Sequence, residues 1–310
     1  MKIVRWGLPF LVSAGLLAWI FQDQEVDSIE LRAQLTPEVI QVFVPVLLIF
    51  LAISLLIEAV CLVDVVSHTH RLPGLLIAAR IKAASYPLGI LNYALGIGAV
   101  TILLRRRLGM SLAEATGAVM VIGLFDLAAL IGVIAVGGAL MGAATPGLKM
   151  GVVALAAIAV VLGFVFLRVP VSMGWLEKVR GWSILAPART LPLAILVRLA
   201  SLRLIFTANF IALGWAVLYG FGVTDIPLLA LAVNICILLL VAALPIAAAG
   251  LGTGQIVFVE LFKPWGDPAV LLAASLTLSL GLIITRAAIG LLFAQEFTAE
   301  ALAAQNTENS

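Results

Sequence analysis

The chain has 310 residues, of which 64% are hydrophobic and 11% are charged, and its formal net charge is +2. An ordinary soluble domain is about half apolar and about a quarter charged, so this composition excludes a soluble protein and indicates an integral membrane protein. The small net charge gives no reason to expect a nucleic-acid partner. We predict one all-α, polytopic membrane domain over residues 1–310, with a short polar tail at 295–310.

A helix needs about 20 mostly apolar residues to cross the hydrocarbon core, and such runs recur through the chain. We predict about seven to eight transmembrane helices. The runs that we interpret as crossings lie at about 3–21, 39–63, 112–140, 150–167, 204–221, 227–244 and 268–293. Lys2 and Arg5 precede the first run, which sets the N-terminus in the cytoplasm, and no small-residue cleavage site follows it, so we expect a retained span.

A further apolar stretch at about 72–104 lies between two groups of basic residues. Arg71, Arg80 and Lys82 lie near its start, and Arg105, Arg106 and Arg107 follow it. If the stretch crossed the membrane, one of these groups would lie outside, against the positive-inside tendency. We therefore predict a re-entrant element that enters from the cytoplasm and returns there.

A second interrupted stretch contains Gly250, Gly252 and Gly254 between apolar runs. Glycine costs roughly 1 kcal/mol relative to alanine inside a helix, so three glycines in five positions predict that the helix breaks here. In lipid, a broken backbone persists only where protein buries it or where it lines a wet cavity. We predict a second re-entrant element here and a candidate site.

The two interrupted stretches resemble each other. Residues 95–98 (Leu-Gly-Ile-Gly) align with residues 251–254 (Leu-Gly-Thr-Gly), and Pro87 and Pro245 lie a few residues upstream. We favour a duplicated element with halves at 39–168 and 189–294, because paired interruptions in two halves indicate a transporter's binding site. Four predicted crossings separate the two elements, so we expect a parallel repeat.

Ionisable residues within apolar runs are costly, at about 2.5 to 3.5 kcal/mol near a helix centre, so each requires a reason. Asp126 is the most deeply placed acid, either as a polar contact in a cavity or as a charge that pairs helices. Glu58 lies near a helix end and is expected to reach the headgroups. Glu260 follows the second break and is expected to face the same cavity. Arg286 either extends to the interface or pairs with an acid.

Several other residues complete the predicted substrate pathway. Gly96, Gly98 and Asn92 lie in the first interrupted element, and Gln255 follows the glycines of the second. Intramembrane amides more often join helices than bind ligands, so both roles stay open for them. Arg198 and Arg203 are expected to extend their head groups to the interface. The cluster at 105–107 serves either as a topology signal or as a collector of anionic lipid at the cytoplasmic face.

Nothing in the sequence supports an enzyme. We find no nucleophile elbow, zinc-protease His pair or phosphate-binding loop, and the glycines at 250–254 lack the strand-helix context of a dinucleotide fingerprint. His68 and His70 have a spacing that suits a metal, but a solvated loop is the favoured interpretation. Cys61 and Cys236 lie in apolar runs and are expected to be buried and unpaired. We predict no enzymatic activity, cofactor or metal.

At its two interrupted elements the chain resembles the transmembrane region of the lysylphosphatidylglycerol synthase family, a flippase-like group also called YbhN-type. That family has a proline-rich helix end followed by Gly-Leu-Gly-x-Arg-Glu, which corresponds to residues 250–255 here. Its earlier Leu-Gly-x-Ser and Asp-Leu motifs correspond to residues 108–111 and to Asp126-Leu127. The Arg-Glu of the family is Gly254-Gln255 in this chain, its Glu-Arg before Asp-Leu is Ile122-Gly123, and a glutamate of the first segment is Ala99, so the resemblance is to a divergent member without a synthase domain.

The resemblance implies a bacterial inner-membrane protein that moves a phospholipid, or a polyprenyl- or hopanoid-type lipid, between leaflets. Membrane lipids would be its partners. Two other hypotheses stay open: an ion-coupled carrier of a small polar solute with Asp126 or Glu260 as the proton site, and a non-catalytic membrane subunit that binds a lipid- or glycan-modifying enzyme.

Overall fold

A computed structural model of the chain describes residues 35–68, 74–91, 93–141, 181–243 and 252–308, together with isolated helical residues between 151 and 168. Every regular element in these ranges is a helix, as the all-α prediction requires. The helices are α1 (Pro37–Val66), α2 (Leu75–Leu91), α3 (Tyr93–Leu108), α4 (Leu112–Met141), α5 (Ala186–Thr190), α6 (Leu193–Gly220), α7 (Leu228–Ala242), α8 (Thr253–Phe262) and α9 (Pro268–Glu308). The span predicted at 3–21, and all but isolated residues of the span at 150–167, lie outside the described residues.

Four of the described helices are long and apolar enough to cross a membrane: α1, α4, α6 and the Pro268–Phe293 part of α9. A helix of about 30 residues is about 45 Å long, whereas the hydrocarbon core is about 30 Å thick. The four helices overlap the crossings predicted at 39–63, 112–140, 204–221 and 268–293. This architecture fits an integral membrane protein built from α-helices.

Two predictions for the second half of the chain need correction. α6 is one continuous helix from Leu193 to Gly220, rather than an interfacial stretch followed by a span that begins near Leu204. α7 has 15 residues and a length of about 22 Å, which is too short for the upright crossing predicted at 227–244. Hydropathy misses this limit because the apolar sequence continues beyond Ala242, where the helix ends.

α1 and α6 lie side by side and run in opposite directions. Near the end of α1, Asp64 binds Arg198 at 3.1 Å. Further along, the Asn209 side chain donates a hydrogen bond to the Phe50 carbonyl at 3.0 Å. At the other end of α6, Gly220 packs against Val39.

α4 runs in the same direction as α6. Gly117, near its start, packs against the Ile184 carbonyl just ahead of α5, and Gly137, near its end, packs against Val233 of α7. α9 runs in the opposite direction, because Gly266 before its start contacts Val223 in the loop after α6. The bundle therefore has two ends. We call the end where α1 finishes and α4 and α6 begin the basic end, after residues 105–107, and the other the acidic end, after residues 225 and 267.

α2 and α3 form a helical hairpin. A Cβ added to Gly96 would lie 2.8 Å from the Cα of Gly89. These two residues are seven positions apart and would be about 10 Å apart along a straight helix, so the chain folds back between them. Since α1 ends and α4 begins at the basic end, this hairpin starts and finishes there.

α7 and α8 form a second hairpin. The Asn234 side chain in α7 donates a hydrogen bond at 2.9 Å to the carbonyl of Leu261, near the end of α8. Gly252 precedes α8 with φ of 92°, a conformation that favours glycine, so the predicted break in the helix is present at this position. α6 ends and α9 begins at the acidic end, and this hairpin starts and finishes there.

The chain thus contains two units with the same order of elements, each with a long helix, a hairpin and a second long helix. The first unit contains α1 to α4 and the second contains α6 to α9. Their long helices begin 156 residues apart, at Pro37 and Leu193 and again at Leu112 and Pro268, which is the offset of the aligned glycine motifs. The two hairpins start at opposite ends of the bundle, whereas a parallel repeat would place both at the same end. The parallel prediction counted α7 as a crossing, and α7 has 15 residues.

Each hairpin has its own apolar core. At the basic end, α2 and α3 pack with the last half of α1 and the first halves of α4 and α6. At the acidic end, α7 and α8 pack with the first half of α1, the last half of α6 and the first half of the apolar part of α9. The hairpins also join the two units, because α2 packs against α9 and α7 packs against α4.

A buried charged cluster as the candidate functional site

Five ionisable side chains from five different helices meet inside the apolar bundle. They are Glu58 of α1, Lys82 of α2, Asp126 of α4, Arg203 of α6 and Arg286 of α9. Along their helices they lie about 10 to 21 Å from the basic end. Charged groups at such depth are expensive in lipid and are usually functional, so this group, which we call the charged cluster, is the candidate site.

Asp126 and Arg203 form its most buried ion pair. Arg203 Nη1 lies 3.0 Å from Asp126 Oδ1, and the arginine is only 1% exposed. The prediction that Arg203 extends to the interface is therefore wrong, since its head group turns inward to the carboxylate. For Asp126, the structure shows a charge that pairs two helices, and a role in binding remains a prediction. The Asp126 side chain stays 28% exposed, so the cluster is open on that side.

Glu58 ties the first hairpin to α1. Lys82 Nζ lies 3.0 Å from Glu58 Oε1, and the Tyr86 hydroxyl donates a hydrogen bond to Glu58 Oε2 at 2.7 Å. Glu58 thus binds two side chains of α2 instead of reaching toward the headgroups as predicted. Because both contacts are made to one helix, they fix the position of the hairpin as well as the charge.

Arg286 completes the cluster from α9. Its guanidinium carbon lies 5.7 Å from the centre of the Tyr86 ring and 5.8 Å from that of Phe210. It is also close enough to Glu58 to interact electrostatically. No direct ion pair joins Arg286 to a described residue, so its pairing with an acid stays a prediction.

Aromatic rings connect the two arginines. The centre of the Phe206 ring lies 5.1 Å from the guanidinium carbon of Arg203. The same ring packs edge-on against Phe210, with 5.3 Å between the ring centres. Phe210 in turn contacts Arg286. Both guanidinium groups therefore lie against ring faces, which attract cations.

The second hairpin is held by neutral groups. The Gln255 Oε1 accepts a hydrogen bond from the Gly252 N–H at 2.6 Å, and its Nε2 donates to Ser279 of α9 at 2.9 Å. Gln255 is 1% exposed, so both ends of its amide are used in joining the helix start to a neighbouring helix. Of its two predicted roles, the geometry favours the structural one.

Glu260 does not face the charged cluster. Its side chain is 58% exposed and pairs with Lys263 one helical turn away, near the acidic end. The prediction that it faces a cavity is wrong, because it lies on the outer face of α8. The helical period that puts Gln255 and Phe258 inside leaves position 260 outside.

The remaining predicted site residues lie apart from the cluster. Gly96 and Gly98 are within α3, so the first break comes before them, and only Gly96 makes a close backbone contact. Asn92 and Gly250 lie outside the described residues. Residues 105–107 occupy the last turn of α3 at the basic end. Positive charge there suits the negative end of the helix dipole, whichever of their two predicted roles applies.

Sequence reasoning missed three members of this site: Lys82, Tyr86 and Arg203. Lys82 was interpreted as a topology signal and Arg203 as an interfacial residue, while Tyr86 drew no attention. A usable signal existed for Arg203, because it lies almost three turns inside an apolar helix that begins at Leu193. Within the described ranges, no three His, Cys, Asp or Glu side chains gather as metal ligands, and Cys61 and Cys236 are buried and unpaired.

No family model, curated protein or solved structure matches this chain. The resemblance to the flippase-like family therefore remains a prediction drawn from short motifs, and the function must be argued from the site.

Proposed function

We propose that this protein is a membrane transporter that moves a lipid from one leaflet to the other through a path at the charged cluster. The observation that carries the proposal is the composition of the cluster, which takes Glu58, Lys82 and Asp126 from the first unit and Arg203 and Arg286 from the second. Transporters built from inverted repeats place their substrate sites where the repeats meet.

The two hairpins supply the second support. We propose that both are re-entrant, each entering from one side of the membrane and returning to it. α2 and α3 have 17 and 16 residues, and α7 and α8 have 15 and 10. Each is shorter than the roughly 20 residues of an ordinary membrane crossing. Interrupted helices that enter from opposite sides are a recurring way to form a polar site inside lipid.

The open side of the cluster favours a lipid as the substrate. A lipid headgroup needs polar partners within the hydrocarbon, whereas its tails stay in the bilayer. Asp126 is partly exposed on α4, one of the four apolar helices, so a headgroup can approach from the side of the bundle. Exposed leucines on the same helix, such as Leu124 and Leu140, suit contact with acyl chains.

We assign the basic end to the cytoplasm. Arg105, Arg106, Arg189 and Arg198 lie at or near this end, whereas Asp225, Asp267 and Glu38 lie near the other. This distribution follows the positive-inside rule. The first hairpin and the charged cluster then open nearer to the cytoplasmic leaflet, where anionic lipids are attracted to basic residues at about 1 kcal/mol per charge.

Leaflet exchange in proteoliposomes tests the proposal. Fluorescent phosphatidylglycerol is reconstituted with the full-length protein, and exchange is scored as fluorescence lost to an impermeant quencher, with and without a pH gradient. We expect protein-dependent exchange that slows at least about tenfold in Arg203→Gln, because the variant lacks the most buried cation of the path. Arg198→Lys is the control on the same helix, since it keeps the charge of a side chain that is 62% exposed.

An ion-coupled carrier of a small anionic solute is the second candidate. It is favoured by the inverted arrangement itself, which many solute carriers share and which does not require a lipid. Gradient-driven uptake of a solute that Arg203→Gln abolishes, in vesicles that show no lipid exchange, would replace the lipid proposal with this one.

A further inference from the structure

We propose that Arg203 binds the substrate's anionic group, a phosphodiester or carboxylate that carries one negative charge, on the unused edge of its guanidinium. This inference rests on the proposed function for the lipid as the source of the anion and deepens it by naming the chemistry of the headgroup.

The geometry of the arginine carries the inference. Its Nη1 atom binds Asp126, but Nε and Nη2 are buried and have no hydrogen-bond partner among the residues that the structure describes. These two nitrogens share one side of the planar guanidinium and project parallel N–H bonds. That side is the fork that binds carboxylates and phosphates in bidentate fashion. A buried fork without a partner is expensive, so its use by a ligand is the natural explanation.

The charge of the cluster indicates the same ligand. Two acids, Glu58 and Asp126, face three cations, Lys82, Arg203 and Arg286, so the group carries one net positive charge. An uncompensated charge in an apolar interior is strongly unfavourable. A bound monoanion neutralises the cluster, whereas a cation would raise the imbalance.

The surroundings of Arg203 hold the fork in place. Phe206 lies against the guanidinium, and the uncharged Cys61 thiol lies close to it. Arg286 lies against Phe210, whose ring packs against Phe206. The buried Nε of Arg286 also lacks a hydrogen-bond partner in the described part of the chain. Its positive charge strengthens the field on an anion bound at Arg203.

Binding to the purified full-length protein in a neutral detergent tests the site. The probes are dimethyl phosphate, which is a free phosphodiester, dihexanoyl phosphatidylglycerol, which carries the same group on a lipid, and dihexanoylglycerol, which has the tails without the phosphate. Affinity is read from the rise in the thermal unfolding temperature with probe concentration. We expect both phosphates to stabilise the protein and the neutral lipid to have no effect.

Two variants at the site and one control decide the assignment. Arg203→Lys keeps the charge beside Asp126 but lacks the fork, and we expect affinity for both phosphates to fall about tenfold. Asp126→Asn leaves the cluster with a greater positive charge, and we expect tighter binding. Arg198→Lys makes the same chemical change at an exposed site on the same helix and should leave affinity within about twofold of the native protein.

The experiment distinguishes failure of the anion-site proposal from failure of the lipid-transport proposal. Equal affinity in Arg203→Lys and the native protein, or no stabilisation of folded native protein by either phosphate, overturns the anion site. Binding of dimethyl phosphate that depends on Arg203, together with no binding of phosphatidylglycerol, retains the site and overturns the lipid as its source. Binding of phosphatidylglycerol that depends on Arg203 supports both.

Discussion

The two hairpins occupy the same place in their units, but different chemistry holds them. The first hairpin is fixed by charge, through Lys82 and Tyr86 on the Glu58 carboxylate. The second is fixed by neutral amides, through Gln255 on the Gly252 N–H and Asn234 on a backbone carbonyl. The order of helix, hairpin and helix therefore forms with or without buried charges.

Corresponding positions in the long helices support this conclusion. At the offset of 156 residues, the position equivalent to Asp126 is Leu282, and that equivalent to Arg286 is Leu130. Arg203 is likewise matched by Leu47, which is buried. An apolar residue thus occupies the equivalent position in the other unit. Since a buried ion pair is often no more stabilising than well-packed apolar residues, stability alone does not account for the charges.

The largest expected effect comes from breaking the buried ion pair on one side. Arg203→Ala leaves Asp126 as an uncompensated charge, and we expect the free energy of unfolding to fall by about 3 to 5 kcal/mol. The double variant Arg203→Leu with Asp126→Leu gives each position the leucine found at its equivalent in the other unit, Leu47 and Leu282, and should lose less than about 1 kcal/mol. Denaturation in mixed detergent micelles measures both values.

That pair of variants also tests why the charges are present. The double variant should fold but fail to exchange lipid, which separates the architecture from the function. If the double variant were as unstable as Arg203→Ala, the ion pair would be a requirement of the fold, and the comparison between the two units would not hold.

The two hairpins also differ in how tightly their glycines are packed. A Cβ at Gly96 would lie 2.8 Å from the Gly89 backbone, whereas nothing lies within 4 Å of a Cβ at Gly254 in the second hairpin. We expect Gly96→Ala to cost about 1 to 3 kcal/mol, because the backbones of α2 and α3 must separate. Gly254→Ala, in an open helical position, should instead stabilise the protein by up to about 1 kcal/mol.

Thermal and denaturant unfolding of both variants measure this difference. Gly98→Ala is the matched control within α3, since it also has open space around it. Destabilisation by Gly98→Ala as large as that by Gly96→Ala would show that alanine is unfavourable throughout α3 and would remove close packing as the cause.

At Gln255 we expect a change in the free energy of unfolding similar to that of Gly96→Ala, without a change in lipid exchange. Gln255→Leu removes an acceptor from the buried Gly252 N–H and a donor from Ser279, so we expect a loss of about 1 to 3 kcal/mol. Lipid exchange per folded molecule should stay within about twofold of the native rate. Exchange that falls tenfold in protein of unchanged stability would instead assign Gln255 to the substrate path.

Much of this fold could be predicted from the sequence because the relevant signals are local. A long apolar run specifies a membrane helix wherever it lies, so α1, α4 and the apolar part of α9 follow from hydropathy. The break before α8 follows from glycine, since Gly252 adopts a conformation that other residues avoid. The offset of 156 residues followed from a four-residue alignment, because both units keep the same spacing.

The site and the positions of the two hairpins at opposite ends of the bundle required the structure because they depend on distant contacts. Arg203 and Asp126 are 77 positions apart, and the sequence around either residue does not indicate which residue it contacts. The direction of the second hairpin depends on where α7 stops, and the sequence after Ala242 is still apolar. The same ambiguity made Lys82 resemble a topology signal, since a charge near a helix end has the same sequence pattern whether it faces inward or outward.

The smallest expected effect is at Glu260, and it tests whether depth rather than charge defines the site. Glu260 and Lys263 form an exposed pair on α8, whereas Asp126 and Arg203 are enclosed by helices. Exposed ion pairs contribute between about 0 and 1 kcal/mol, so Glu260→Gln should change the free energy of unfolding by less than about 0.5 kcal/mol and leave lipid exchange unaltered. Asp126→Asn removes the same charge in the cluster and should slow exchange, because tighter anion binding delays release. Slower exchange in Glu260→Gln would extend the path to the acidic end and give the second hairpin a part in transport that its neutral contacts do not suggest.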